Sequence, residues 1–216
     1  MSRPLKPMKV DSVRTLPFDL IMADPPWAFG DKLPGNTRGA ARNYDTLTVT
    51  QLCNTYKLPP VADDAVLFLW KVAAIPEWLD VCRAWGFVPK AELVWVKIGI
   101  PLKTQYMDGL TTDLVTVPGF PCVQFSKLAF GMGRRVRNCH EVCVIAQRGK
   151  GLEVADRAIR SVFFAPLREH SRKPDEAYRI AERMYPTANR VEVFSRQQRP
   201  GWTCLGNEVG KFEEER

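Results

Sequence analysis

The sequence has no apolar run long enough to cross a membrane. No segment approaches the roughly 18 consecutive apolar residues that a membrane-spanning helix needs. The opening residues, "MSRPLKPMKV", have no apolar core of the kind found in signal peptides. We therefore expect a cytoplasmic protein that does not associate with membranes. With 216 residues, 45% of them hydrophobic, we expect residues 1–216 to form a single domain with a substantial core.

Histidine is scarce, and the cysteines form no Cys-x-x-Cys pair. The chain has two histidines and six cysteines, at positions 53, 82, 122, 139, 143 and 204. Only Cys139-His140-x-x-Cys143 resembles a ligand set, and it lies in a strand-like run whose extended backbone differs from a common chelating turn. We expect reduced thiols and predict no metal site.

Positive charge exceeds negative charge, and part of it is clustered. The net charge is +7, which is typical of proteins with a polyanionic partner. Three arginines, Arg134, Arg135 and Arg137, crowd the glycine-containing stretch "GMGRRVRN". Because they lie in a loop rather than along a solvated helix face, we predict that they contact the phosphates of a nucleic acid.

Apolar runs of strand length alternate with helical patterns along the chain. The predicted strands are 18–23, 65–71, 91–97, 140–147, 161–166 and 190–196; the predicted helices lie within 48–58, 75–86 and 173–186. Several strands are apolar throughout, as expected when both faces are covered. The order predicts an α/β fold with a mostly parallel sheet and helices on both faces. Residues 99–138 break this rhythm, and we predict a substrate-binding loop there. Residues 210–216 are predicted to be a frayed tail.

The stretch "ADPPWAFG" follows the first predicted strand and suggests a chemical site. Pro25 and Pro26 cannot continue a strand, because they lack the backbone N–H. Asp24 and a rigid backbone carbonyl could accept both N–H groups of an exocyclic amine, which would direct its lone pair toward an electrophile. Trp27 could stack on the base that carries the amine. We therefore predict Asp24, Pro25, Pro26 and Trp27 as catalytic residues acting on a planar amino-bearing base.

This tetrapeptide resembles motif IV of the amino-methyltransferases. Its Trp-ended form is similar to that of the adenine-N6 methyltransferases that include the catalytic subunit of the eukaryotic mRNA methyltransferase. Further segments resemble that family in the same order: "NYDTLT", "LFLWK", "ELVWVK", "RNCHEVCVIAQRGK", "HSRKPDEAY" and "VEVFSRQQRPGWTCLGNEV". The resemblance therefore covers most of the chain.

The resemblance implies a Rossmann-like fold that uses S-adenosylmethionine and places its catalytic motif before the elements that bind this methyl donor. The chain indeed has no glycine-rich loop near its start. Lys173, at the start of a helix, is expected to bind the carboxylate of the methyl donor. Arg196 and Asn207 are expected to contribute further polar contacts, and Glu208 to bind the ribose hydroxyls. The mRNA enzyme has glutamine where this chain has Glu208. His170 contacts the carboxylate of the methyl donor, lines the substrate entrance or has a structural role.

The implied function is methyl transfer to N6 of adenine in DNA by a compact enzyme of bacterial or phage type. Tyr44 is expected to close over the base or the methyl donor, and a base in a duplex would have to be flipped out. Three alternatives stay open: an RNA adenine-N6 methyltransferase, a non-catalytic partner subunit that only binds nucleic acid, and a cytosine-N4 methyltransferase. A monomer or a homodimer is expected.

Overall fold

The predicted strands form one mixed sheet. The computed structural model describes residues 17–28, 46–99, 128–129, 135–169 and 171–212, and everything below refers to these residues. They contain the strands β1 (Phe18–Ala23), β2 (Val61–Lys71), β3 (Val88–Ile98), β4 (His140–Arg148), β5 (Val162–Pro166), β6 (Arg190–Val193) and β7 (Thr203–Leu205). The helices are α1 (Val49–Asn54), α2 (Trp78–Ala84) and α3 (Asp175–Met184).

The strand order is β5-β3-β4-β2-β1-β6-β7. Strand β4 runs antiparallel to both of its neighbours, β2 and β3, whereas the other neighbouring pairs are parallel. The α/β class is therefore confirmed, and the sheet is mixed. Because β4 is reversed, its first residues lie at the edge where the parallel strands end. This reversal brings His140 and Glu141 to the carboxyl edge of the sheet.

Both faces of the sheet are buried, and alternate residues of β1 serve the two core clusters. Ile21 and Ala23 pack in one cluster together with residues of α1 and α2. Leu20 and Met22 pack in the other, together with residues of α3. Fully apolar strands such as β1 are expected where a sheet is covered on both sides.

The ends of the helices follow local sequence signals. Thr48 caps α1, since its hydroxyl accepts a hydrogen bond from the Gln51 backbone N–H at 3.2 Å. The Gln51 side chain returns the contact by accepting from the Thr48 backbone N–H at 2.9 Å, which completes a capping box. Pro174 precedes α3, and Asp175 and Glu176 occupy its first turn, where negative charge is favourable.

Candidate active site

Asp24 lies at a topological switch point of the sheet, where the two strands that flank β1 are reached from it by different connections along the chain. It directly follows β1, whose neighbours are β2, the next strand in the chain, and β6, a strand reached much later. In open α/β sheets, ligands bind in the crevice outside the carboxyl ends of the strands at such a switch point. The topology therefore places Asp24 where a ligand is expected.

Lys173 contacts Asp24 across 149 positions of sequence. Its Nζ donates a hydrogen bond to Asp24 Oδ2 at 2.7 Å and lies 3.3 Å from Oε2 of Glu141, the second residue of β4. Glu141 Oε1 in turn lies 2.6 Å from Lys97 Nζ. Two carboxylates and two ammonium groups thus alternate along one chain of contacts, and their formal charges cancel.

Burial and charge act in opposite directions on the pKa values of this group. Burial raises the pKa of Asp24, and the opposing attraction of Lys173 does not fully cancel that effect. Burial also raises the pKa of Glu141, but Lys173 and Lys97 outweigh it and hold that pKa at about 2. Burial lowers the pKa of Lys173, yet Asp24 and Glu141 raise it well above its ordinary value. Lys173 and Glu141 are therefore charged at neutral pH.

The two prolines after Asp24 do end the strand, and their carbonyls have backbone partners. The Pro25 carbonyl accepts from the Trp27 N–H at 2.8 Å, and the Pro26 carbonyl accepts from the Leu47 N–H at 2.7 Å. Both carbonyls therefore have one partner within the chain. A carbonyl oxygen has two lone pairs, so either one can accept a second hydrogen bond.

Trp27 is part of the core. Its side chain is 3% exposed, it packs in the cluster that contains α1 and α2, and its Nε1 donates to the Trp70 carbonyl at 3.1 Å. A ring buried in this way offers no face to a base, so the stacking role predicted for Trp27 is wrong for this conformation. The indole instead anchors the loop that carries Asp24.

A cleft opens beside Asp24 and Lys173. Its other lining residues come from the turn before α3, from α3 itself, from β6 and the segment after it, and from the end of the described chain: Ser171, Arg172, Tyr178, Glu192, Phe194, Arg196, Gln197, Arg199 and Phe212. Several lining residues have a buried side-chain atom without a hydrogen-bond partner: Arg172 Nε, Glu192 Oε2, Gln197 Oε1 and Arg199 Nε. Unpartnered polar atoms around one cleft are typical of a binding site for a polar ligand.

One of the residues predicted near the C-terminus lines this cleft, and a second one pairs with it. Arg196 lines it and pairs with Glu208 at 3.3 Å, and Lys211 pairs with the other oxygen of Glu208 at 2.7 Å. Asn207 is exposed. Phe212 also lines the cleft, with its ring 5.3 Å from the Arg172 guanidinium. The frayed tail predicted from residue 210 is therefore wrong as far as Phe212.

Arg135 and Arg137 are exposed and directly precede β4. Because β4 is the reversed strand, they approach the sheet at the same edge as Asp24. Tyr44, Arg134 and His170 lie outside the described residues, as does most of the predicted loop 99–138.

Sequence reasoning missed Glu141 and Glu192. Each lies within a strand-like run, where an acid is easily read as a solvent-facing residue. Their position in the sequence could have identified them. An acidic residue among apolar residues, at or near the end of a strand, is expected to lie at the edge of the sheet where ligands bind. Among the described residues, no three His, Cys, Asp or Glu side chains come together to hold a metal ion. No described helix is long and apolar enough to cross a membrane.

Comparison with known proteins agrees with this site. The MT-A70 family model matches residues 124–208, which include Glu141, Lys173, Glu192 and Arg196. The chain is 29% identical over 195 residues to the Arabidopsis thaliana "N(6)-adenosine-methyltransferase MT-A70-like", an alignment that covers 89% of this chain and 24% of that protein. It is 28% identical to the human "N(6)-adenosine-methyltransferase catalytic subunit METTL3", covering 89% of this chain and 28% of that protein.

A fungal protein from Cryphonectria parasitica, "N6-methyladenosine RNA methyltransferase MTA1", is 29% identical over 209 residues, covering 91% of this chain and 53% of that protein. The chain thus spans between about a quarter and about half of the length of these relatives. The matches support the family predicted from the motifs: residues 124–208 match the MT-A70 family model, and the similar proteins are named as adenine-N6 methyltransferases.

Proposed function

We propose that this protein transfers a methyl group from S-adenosylmethionine to N6 of adenine in a nucleic acid. The observation that carries the proposal is the convergence of Asp24 and Lys173 in one cleft at the carboxyl edge of β1 and β6. The sequence predicts the first of these residues for the amine and the second for the methyl donor. The similarity to the MT-A70 family model and to proteins named as adenosine-N6 methyltransferases supports the same chemistry.

The residues around the cleft fit S-adenosylmethionine. Lys173, which lines the cleft, can hold its carboxylate. We assign polar contacts with its ribose to Arg196, to the ion-pair partner Glu208 and to the neighbouring Asn207. The unpartnered polar atoms of Gln197 and Arg199 provide further hydrogen-bonding capacity. When bound, this cofactor supplies an electrophilic methyl group on a sulfonium.

Asp24 is proposed to hold the adenine amine. Its Oδ2 accepts from Lys173, which leaves Oδ1 as the acceptor for one amine N–H. The second lone pair of the Pro25 carbonyl can accept the other N–H. Two such contacts localise the nitrogen lone pair, and this matters most in the transition state. Because burial raises the pKa of Asp24, its carboxylate is also suited to take the proton that the amine loses.

The second part of the proposal concerns whether the methylated adenine belongs to DNA or to RNA. DNA is the first candidate. RNA is the second candidate, and the specific observation that favours it is that relatives of this chain are named as adenosine and RNA methyltransferases. The exposed Arg135 and Arg137 support a polyanionic substrate of either kind.

A single assay tests both the proposed reaction and the proposed substrate polymer. The protein is incubated with isotope-labelled S-adenosylmethionine and, separately, with single-stranded DNA, duplex DNA and RNA, and the products are digested to nucleosides and separated by mass. We expect N6-methyladenine, formed at least as readily in single-stranded as in duplex DNA, because unstacking costs less. Label found only in RNA would move the substrate to the second candidate. N4-methylcytosine as the main product, or binding without transfer, would contradict the proposed reaction.

A further inference from the structure

A segment after β7 reaches from one wall of the cleft to the other. Residues 206–212, which we call the closing segment, begin beside Ser195, where a Cβ atom on Gly206 would lie 2.1 Å from the Ser195 carbonyl oxygen. At the other end of the segment, the Phe212 ring lies 5.3 Å from the Arg172 guanidinium. Since Ser195 follows β6 and Arg172 precedes α3, the closing segment joins the two sides of the cleft.

The part of the closing segment on the side of β6 is firmly held. Gly206 packs closely on Ser195, and Glu208 Oε2 lies 3.3 Å from Arg196 Nε. The Lys211 backbone N–H donates to the Glu208 carbonyl at 3.0 Å, and Lys211 Nζ lies 2.7 Å from Glu208 Oε1. These contacts fix the segment as far as the turn that ends at Lys211.

The crossing to the opposite side depends on the contact between Phe212 and Arg172. Arg172 is fixed where it stands, because its backbone N–H donates to the Glu169 carbonyl at 3.0 Å and its Nη1 donates to both Glu169 carboxylate oxygens at 3.0 Å. A contact between a ring and a guanidinium at a partly exposed position is weak. Gly210 has a φ of +103°, and the conformational freedom of a glycine lets the chain beyond it move. Phe212 is therefore the half of this contact that can move.

Phe212 differs in this respect from the other apolar side chain of the cleft. Among the described lining residues, Phe194 and Phe212 are apolar, and the others carry a hydroxyl, an amide or a charge. Phe194 is held by the core on the side of α1 and α2, since its ring centroid lies 4.5 Å from that of Tyr56 and 6.5 Å from that of Trp85. Phe194 is thus a fixed part of the cleft, whereas Phe212 covers it from a segment that contacts the opposite side weakly.

We propose that Phe212 closes the cleft against Arg172 and swings away whenever the methyl donor or its demethylated product enters or leaves. This inference rests on the proposed function, because it assumes that S-adenosylmethionine occupies the cleft. The contact joins two groups of the protein and does not include the ligand, so it slows entry as well as exit. The family model matches residues 124–208, and Gly210 and Phe212 lie beyond that match.

Exchange of S-adenosylhomocysteine on the whole protein tests the closure. Rapid filtration with the isotope-labelled ligand measures association, and a chase with excess unlabelled ligand measures dissociation, for wild type and Phe212→Ala. For Phe212→Ala, we expect both rate constants to rise about three- to ten-fold, the factor that corresponds to loss of a ring–guanidinium contact. Because entry and exit accelerate together, the dissociation constant should change less than either rate constant.

Further variants at position 212 separate the ring from its volume. Phe212→Tyr keeps the ring and is expected to exchange the ligand as wild type does. Phe212→Leu keeps most of the apolar volume but lacks the ring, and we expect a rise in both rate constants. The matched control is Val209→Ala, which shortens a side chain of the same segment that is not among the residues lining the cleft, and wild-type rates are expected. Thermal unfolding of each variant shows whether the fold is retained.

A double-mutant cycle tests whether the ring acts through Arg172. We expect Arg172→Met alone to accelerate exchange, and the double variant with Phe212→Ala to show little further rise. Fully additive effects would mean that Phe212 does not close against Arg172.

Other outcomes would also overturn the inference, and they differ from the failure of the proposed function. A rise in the dissociation rate constant alone would make Phe212 a contact of the bound ligand and not a closure. Unchanged rate constants in both Phe212→Ala and Phe212→Leu would exclude any role in exchange. Wild type that does not bind S-adenosylhomocysteine would overturn the proposed cofactor itself.

Discussion

Lys173 Nζ donates a hydrogen bond to Asp24 Oδ2 at 2.7 Å, so the lysine predicted for the methyl donor and the aspartate predicted for the amine are direct partners. The contact ties the loop after β1 to the turn before α3. It also means that neither residue can be changed without altering the other. A substitution at Lys173 is expected to affect both cofactor binding and the ionisation of Asp24.

Replacing Asp24 tests the proposed chemistry most directly. We expect Asp24→Ala to lower methyl transfer by about 10²–10³-fold, because the amine loses the acceptor that localises its lone pair in the transition state. Affinity for S-adenosylhomocysteine is expected to change much less. Transfer of label to nucleic acid measures the first effect and calorimetry the second. Asp63→Asn, an exposed acid of β2, is the control and is expected to behave as wild type. Wild-type turnover by Asp24→Ala would contradict the assignment.

Replacing Lys173 is expected to shift the pH dependence of activity. Lys173 lowers the pKa of Asp24 against the effect of burial, so its removal raises that pKa further. Because we propose that the ionised carboxylate of Asp24 holds the amine, Lys173→Met should lose activity at a higher pH than wild type as the pH falls. Affinity for S-adenosylhomocysteine should also fall by about ten-fold. Rates at saturating cofactor between pH 5 and pH 9 measure the shift. If activity falls at the same acidic pH in Lys173→Met and wild type, Lys173 does not control the ionisation of Asp24.

Glu141 is expected to contribute to stability in a pH-dependent way. Its pKa in the folded protein, about 2, lies below the ordinary value of 4.5, so the unfolded state binds more protons between these limits. The contribution is therefore fully present above about pH 4.5 and is lost as the pH falls toward 2. Its size should be on the order of 1–3 kcal/mol, since the side chain is partly exposed and screened.

Denaturant unfolding of Glu141→Gln beside wild type measures this contribution. The difference in free energy of unfolding should be largest at neutral pH and should shrink steadily below pH 4.5. Glu153→Gln, an exposed acid in the segment after β4, provides the control. A difference that is constant with pH would mean that Glu141 stabilises the fold by packing alone.

Gly206 is expected to tolerate no side chain, because of the close packing between β7 and the segment after β6. A Cβ atom at this position would lie 2.1 Å from the Ser195 carbonyl oxygen and 2.7 Å from its nitrogen. Gly206→Ala should therefore displace Asn207 and Glu208 and weaken S-adenosylhomocysteine binding. Gly201→Ala is the comparison: its Cβ would meet only the Arg190 guanidinium, at 3.7 Å, so the cost is that of a φ of +78°, about 1 kcal/mol. Equal cofactor affinities in the two variants would contradict this prediction.

The basic segment before β4 is expected to bind phosphates. Replacing Arg134, Arg135 and Arg137 by alanine should weaken nucleic-acid binding for all sequences. The slope of log K against log salt should become shallower by about 0.7–0.9 for each phosphate that is no longer neutralised. The matched control replaces Arg157 and Arg160, exposed residues between β4 and β5 at the opposite edge of the sheet. If both sets of variants change the salt slope equally, the charge acts through the whole surface rather than through this segment.

The sequence by itself determined the strands and helices and two residues of the candidate site. Six of the seven strands could be predicted because an apolar run with turn residues at its ends is a local signal. Asp24 and Lys173 could be found because each begins or ends such an element. The seventh strand, Thr203–Leu205, was missed because three residues at a sheet edge carry too short a pattern.

Only the tertiary structure decided how these pieces meet. The reversal of β4 brings Glu141 to the catalytic edge, and the pairing of β1 with β6 sets Glu192 beside Met22 and within the cleft. The same packing buries Trp27 instead of leaving its ring open to a base. Residue spacing reports the period of a single strand or helix, whereas contacts such as Asp24–Lys173 depend on strand order and direction, which arise from the burial of both faces of the whole sheet.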